Sequence, residues 1–167
     1  MKLQTRQNGF TLIELLVVIA IIGVLSAVVL ASLSTARDKG NDAGVKSNLG
    51  SVQTQAAIFD SDRRTYGTFD NGSGAATACP TPGTSGTSFF HDVTVENAIA
   101  SALKDGGTGG TAMCLATDTN YAVAVTRPSS ATSSPSTYWC IDSAQNHCGV
   151  NDNSLTGTSC GTCVTTN

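Results

Sequence analysis

The chain has few of the side chains on which catalysis or nucleic-acid binding rests. Only 13% of its 167 residues are charged and 5% are aromatic, with two histidines, His91 and His147, and one tryptophan, Trp139. Nine basic and twelve acidic residues give a formal charge of −3, and only Arg63 and Arg64 are adjacent basic residues. No basic patch for a phosphate backbone is present, and no direct nucleic-acid binding is expected. No Gly-x-Ser-x-Gly, His-x-x-x-His or phosphate-binding glycine loop occurs, so the common signatures of hydrolases and nucleotide enzymes are missing and both histidines read as surface residues. Cysteine is absent before Cys79, which excludes a lipoprotein signal, since that needs a cysteine just beyond an apolar run.

What the chain does have is one long apolar run. From Leu15 to Ala36 there are 22 consecutive uncharged residues, which as a helix span ~33 Å against ~30 Å for a hydrocarbon core. A single carboxylate, Glu14, stands at its start, and Lys2 and Arg6 precede it. By the positive-inside rule those two bases keep the N-terminus cytoplasmic. An acidic side chain in a membrane segment costs roughly 2.5–3.5 kcal/mol on insertion scales and persists where it has a partner or a role, or where it snorkels to the headgroups. A general secretory signal fits poorly, because its apolar region is only about 7–15 residues long, although Ser34-Thr35-Ala36 has the composition of a cleavage site. An ordinary signal anchor accounts for Lys2 and Arg6, but not for Gly9-Phe10 or Glu14.

The order Gly9-Phe10, then Thr11-Leu12-Ile13-Glu14, then Leu-Leu-Val-Val-Ile-Ala-Ile-Ile-Gly-Val-Leu closely resembles the class III leader and N-terminal helix of type IV prepilins and pseudopilins. The resemblance covers about Lys2 to Ala36. It implies cleavage between Gly9 and Phe10 by prepilin peptidase, methylation of the new Phe10 amine by the same enzyme, and a role for Glu14 and Phe10 in assembly. It also implies membrane lipid, an inner-membrane assembly platform, other copies of this chain and related pilins as partners. The subunit would wait in the cytoplasmic membrane and end in an extracellular filament, with no cofactor and no enzymatic activity. Two alternatives stand beside a type IV pilus subunit. One is a pseudopilin of a type II secretion system; the other is a membrane-anchored extracytoplasmic enzyme or binding domain.

The remaining 130 or so residues suffice for one small domain. Loss of Lys2 and Arg6 leaves 7 basic and 12 acidic side chains, or −5. Apolar residues at Val45, Leu49, Val52, Ala56 and Phe59 recur in a four-three alternation and predict that the helix continues, amphipathic, to about residue 66. Gly40 and Gly44 interrupt the pattern, permitting a bend, a close helix contact or local fraying. The stretch from Gly67 to His91, with Pro80 and Pro82, reads as a loop. Thr94 is the expected N-cap of a short helix that stops at Gly106-Gly107. Strands are expected at Ala112–Thr117, Tyr121–Arg127 and Thr137–Asp142. Tyr121, Val123 and Val125 should face the helix, and Cys140 and Trp139 should point opposite ways.

The expected fold is therefore α+β, a pilin-like lollipop: a long N-terminal helix packed on a three-stranded antiparallel sheet. Its parts are a leader (1–9), the transmembrane half of the helix (10–36), its amphipathic half (37–66), a loop, short helix and sheet (67–142), and a tail with no clear element (143–167). Cys79, Cys114, Cys140, Cys148, Cys160 and Cys163 all follow the membrane segment, on the side predicted to be oxidising, and read as disulfides. Six cysteines allow 15 pairings; Cys79–Cys114, Cys140–Cys148 and Cys160–Cys163 are the expected ones. Zinc on the last four cysteines is a weaker reading, because Cys140 and Cys148 lack knuckle spacing, and no thioredoxin-like pattern surrounds Cys160-Gly-Thr-Cys163. Asn151-Asp152-Asn153 with Asp142 could hold calcium but reads first as a turn.

Overall fold

A computed structural model describes residues 9–128, 137–150, 155 and 158–161. Lys2, Arg6, Asn151-Asp152-Asn153 and Cys163, on which some expectations rest, lie outside the described residues. One helix, α1 (Leu12–Arg63), runs for 52 residues. The chain divides after Ala36 into two compact units.

In the first unit every described residue is exposed, Phe10 at 91% and Leu12 at 88%. This half of α1 is long and apolar enough to cross a membrane, and none of its most apolar window is buried within the subunit. Apolar surface at roughly 25 cal/mol per Å² is unstable in water on this scale. The segment requires lipid or other helices.

The second unit contains the rest of α1, α2 (Val93–Gly106) and a five-stranded sheet: β1 (Thr77–Ala78), β2 (Ala112–Ala116), β3 (Tyr121–Thr126), β4 (Tyr138–Asp142) and β5 (His147–Val150). The strands follow chain order and every neighbouring pair is antiparallel. The α+β class agrees with the sequence reading, but the described residues form five strands where three were expected. β1 is too short to show a period, and β5 lies in the polar tail read as lacking an element. The three expected strands each end one residue sooner or start one later: Thr117 turns back toward Asn120, Arg127 leaves β3, and β4 begins at Tyr138.

The predicted stripe is the core. Val45, Leu49, Val52 and Ala56 are fully buried with Phe89, Phe90, Val95, Ile99, Tyr121, Val123, Val125 and Ile141, and Phe59 and Trp139 pack at the margin. Period-two alternation sends Ala122, Ala124 and Cys140 to the other face, where they form a second core with Leu115, Cys148, Val150, Leu155 and Cys160. The sheet is thus covered on both sides, by helices on one and by tail residues on the other. Four of the five phenylalanines, Phe59, Phe69, Phe89 and Phe90, join Tyr66 and Tyr121 in a cluster with ring centroids 4.1–6.3 Å apart, so a small aromatic complement is concentrated where it adds most.

Two local readings change. Asp92, not Thr94, caps α2: its carboxylate accepts from the Thr94 N–H at 2.8 Å, the side-chain–backbone bond an N-cap supplies. Gly44 is a close-contact position, since an added Cβ would stand 2.5 Å from the Asp105 carboxylate at the end of α2, whereas nothing lies near Gly40. Asn48 completes that contact with a 3.0 Å bond to Asp105.

The disulfides correct the sequence reading more sharply. Cys79–Cys114 forms as expected and ties β1 to β2. Cys140, however, is bonded to Cys160, which overturns both Cys140–Cys148 and Cys160–Cys163. Cys140 and Cys148 are directly opposed across β4 and β5, yet they are not bonded to each other. The tail returns over the same face and brings Cys160 to Cys140, with a Cα separation of 5.7 Å. Cys148 is also disulfide-bonded. Peptide mapping under non-reducing conditions is expected to recover the Cys140–Cys160 cross-link, and reduction should lower the melting temperature, since a lost native disulfide costs about 2–5 kcal/mol. A Cys140–Cys148 peptide would contradict this topology.

Candidate functional site: the start of the apolar helix

Thr11 and Glu14 cap α1 reciprocally. The Thr11 backbone N–H and hydroxyl both donate to Glu14 Oε2, at 2.8 and 2.7 Å, and the Glu14 N–H donates to Thr11 Oγ1 at 3.3 Å. This is a capping box, which satisfies donors that the first helical turn leaves without partners. It also places a carboxylate at the positive end of the helix dipole. The signal, threonine followed three residues later by glutamate, was present in the sequence but was read only as part of a longer motif. Both contacts fall on one oxygen; Glu14 Oε1 accepts no hydrogen bond among the described residues, which leaves it directed to whatever adjoins the helix.

Gly9 and Phe10 precede the helix in exposed, non-helical backbone, where the peptide bond between them is accessible. A Cβ at Gly9 would meet nothing within 4 Å. The fold therefore has no need of glycine there, and a requirement for a small residue must come from outside the subunit.

The other candidates do not converge. His91 stacks edge-on against Phe69 at 5.4 Å beside the 3₁₀ turn Phe89–His91, so it is partly buried rather than the surface residue expected, while His147 is exposed on β5. Asp142 is almost fully buried and accepts from Ala144 N, Asn146 N, Asn146 Nδ2 and Cys160 N at 2.9–3.1 Å. Its oxygens hold the β4–β5 turn and the returning tail. The bridge between Cys140 and Cys160 likewise joins two of the four sulfurs of the zinc reading.

Residues that the sequence reading missed form a buried ionic cluster. Arg127 Nε and Nη2 donate to the two oxygens of Asp42 at 2.6 and 3.1 Å. Lys46, one turn along α1, adds a 2.8 Å contact to the same carboxylate and lies 4.4 Å from the centre of the Trp139 ring. Arg127 is 85 residues from Asp42, a separation at which no local pattern links them.

The family described as the prokaryotic N-terminal methylation motif matches residues 4–30. Over this segment the chain is similar to proteins named as type IV pilins and as type II secretion core proteins. Similar proteins include type II secretion system core protein G of Dickeya chrysanthemi, 34% identical over 79 residues, covering 47% of this chain and 52% of that protein. The type IV major pilin protein PilA of Myxococcus xanthus is 35% identical over 75 residues, 45% of this chain and 34% of its own length. The type IV wide pilus major component PilA4 of Thermus thermophilus is 42% identical over 59 residues, 35% of this chain and 45% of its own length. The chain thus spans about half or less of the length of these relatives. No solved structure matches it.

Proposed function

We propose that this chain is a structural subunit of a type IV pilus, cut between Gly9 and Phe10, methylated on the Phe10 amine, and polymerised through the apolar half of α1. The carrying observation is a wholly exposed apolar helix that begins in a Thr11–Glu14 capping box with one carboxylate oxygen still open. Before assembly, lipid covers the apolar surface; afterwards, the equivalent helices of other copies and of related pilins do. The prepilin peptidase and an inner-membrane platform act on the subunit between those states. The chain is a building block and not an enzyme. The disulfide that knits the tail to the back of the sheet suits a domain on the oxidising side of the membrane, as either filament requires. The similarity to core protein G supports the second reading, a type II secretion pseudopilin.

Gly9→Val is the test of processing. Because the fold leaves open space at Gly9, the substitution should block cleavage without disturbing the head, and intact-mass measurement should find only chain retaining Lys2 and Arg6. Mature protein from Gly9→Val, or wild-type protein beginning anywhere but Phe10, would contradict the assignment.

A further inference from the structure

The loop from Asp70 to Ala75 carries the pair Asn71-Gly72; of the chain's other Asn-Gly pair, Asn8-Gly9, the asparagine lies outside the described residues. An asparagine side chain converts to a succinimide when the next residue's backbone nitrogen attacks its amide carbon. That step needs an unhindered nucleophile, a base for the backbone proton, and stabilisation of the charge that develops on the side-chain oxygen. All three surround Asn71.

The nucleophile belongs to a glycine at φ +82°, with nothing within 4 Å of the position a Cβ would take. Its N–H already donates to Asp70 Oδ1 at 3.0 Å, so a carboxylate rests on the proton that must leave. Gly74 N–H holds the other carboxylate oxygen at 2.7 Å and fixes its orientation. Asn71 Oδ1 accepts three hydrogen bonds, from Ser73 Oγ at 2.6 Å, Ser73 N at 3.0 Å and Ala75 N at 3.3 Å, which polarise the amide and match the donor set of an oxyanion hole. Residues 71–75 are exposed, so water reaches the product.

We propose that Asn71 is a self-modification site, with Asp70 as the general base and the Ser73 and Ala75 donors as the oxyanion hole. The Gly72 N–Cγ bond forms, the Cγ–Nδ2 bond breaks, and the proton taken by Asp70 leaves with ammonia. Water then opens the ring at either carbonyl, giving aspartate or isoaspartate at position 71. The head gains one negative charge, and the isoaspartate product lengthens the backbone by one carbon, displacing the 3.1 Å bond from Asn71 N to Ala75 O. Neither change depends on how the subunit assembles.

The test follows deamidation by peptide mapping of the full chain in detergent, against a synthetic peptide of residues 69–76. The folded chain should react about a hundredfold faster or more, the lower end of general-base assistance, and its rate should rise less steeply with pH than that of the peptide, where hydroxide is the base. Asp70→Asn keeps an acceptor for the Gly72 N–H and should fall to the peptide rate with an unchanged melting temperature. Ser73→Ala, which removes the shortest donor, should give a partial drop. A folded chain slower than the peptide, or Asp70→Asn reacting as fast as wild type, would overturn the proposal.

Discussion

Cells whose only copy of this subunit is Glu14→Ala are expected to make no filaments, although the variant should still insert into the membrane and still be cut after Gly9. Removing a carboxylate from an otherwise apolar segment favours insertion by roughly 2.5–3.5 kcal/mol, so failure at that step is not the expected phenotype. On the proposed function, cleavage before Phe10 would create an α-amine, with an ordinary pKa of about 7.7–8.0, that would remain cationic after a single methylation. In a low-dielectric filament core that amine and Glu14 of a neighbouring subunit attract strongly, and their pairing offsets part of the desolvation each carries alone. The open Glu14 Oε1 is the atom such a partner would reach, while the capping box holds Oε2 in place. Apolar contacts through Leu33 are not specific to one axial register, so the pair has to set it. Glu14→Gln separates charge from capping: its amide oxygen can still accept from Thr11, yet it should also fail to polymerise. Filaments from Glu14→Gln alone would show that capping is the residue's main task, and uncleaved Glu14→Ala would show that Glu14 acts earlier, in peptidase recognition.

The second large effect lies in the head. Arg127→Ala should destabilise it by about 3–5 kcal/mol, the range for breaking a buried ion pair by removing one partner. Asp42 and Arg127 are 8% and 6% exposed, and without the guanidinium Asp42 would keep only Lys46, whose side chain is 39% exposed. Burial alone raises the Asp42 pKa, but hydrogen bonds from Arg127 and then Lys46 outweigh it and hold the carboxyl below its ordinary value. A carboxyl depressed by folding stabilises the native state above its unfolded pKa, about 3.9 for aspartate, and that stabilisation is lost as pH falls through the lower folded value. The wild-type melting temperature should therefore decline below about pH 4, and Arg127→Ala should flatten that part of the profile. Equal stability of the two proteins would leave the cluster without an energetic role.

The parts of this molecule that were legible in its sequence are those written in local periods. Val45, Leu49, Val52 and Ala56 announced a buried stripe by spacing, and Tyr121, Val123 and Val125 announced the face that meets it. What escaped depends on chain segments brought together only by folding. Arg127 meets Asp42 across 85 residues, and β5 is a strand because Asp142 organises the turn before it, not because His147–Val150 has strong strand propensity. The same cause explains the disulfide error: nothing along the chain shows that the tail returns over the second core and brings Cys160 to Cys140. At the N-terminus the motif was read correctly as a string, but the Thr11–Glu14 capping box that gives it geometry was missed. A search for threonine with glutamate three residues on would have found it.

The most direct test of the account is to shear filaments from the cell surface and measure the N-terminus of this chain within them by mass spectrometry. The prediction is a chain that begins at Phe10 with a methylated α-amine, present in the sheared fraction and absent from a strain lacking the subunit. A sheared fraction without this chain, with the protein found only in the membrane and still carrying residues 1–9, would contradict it.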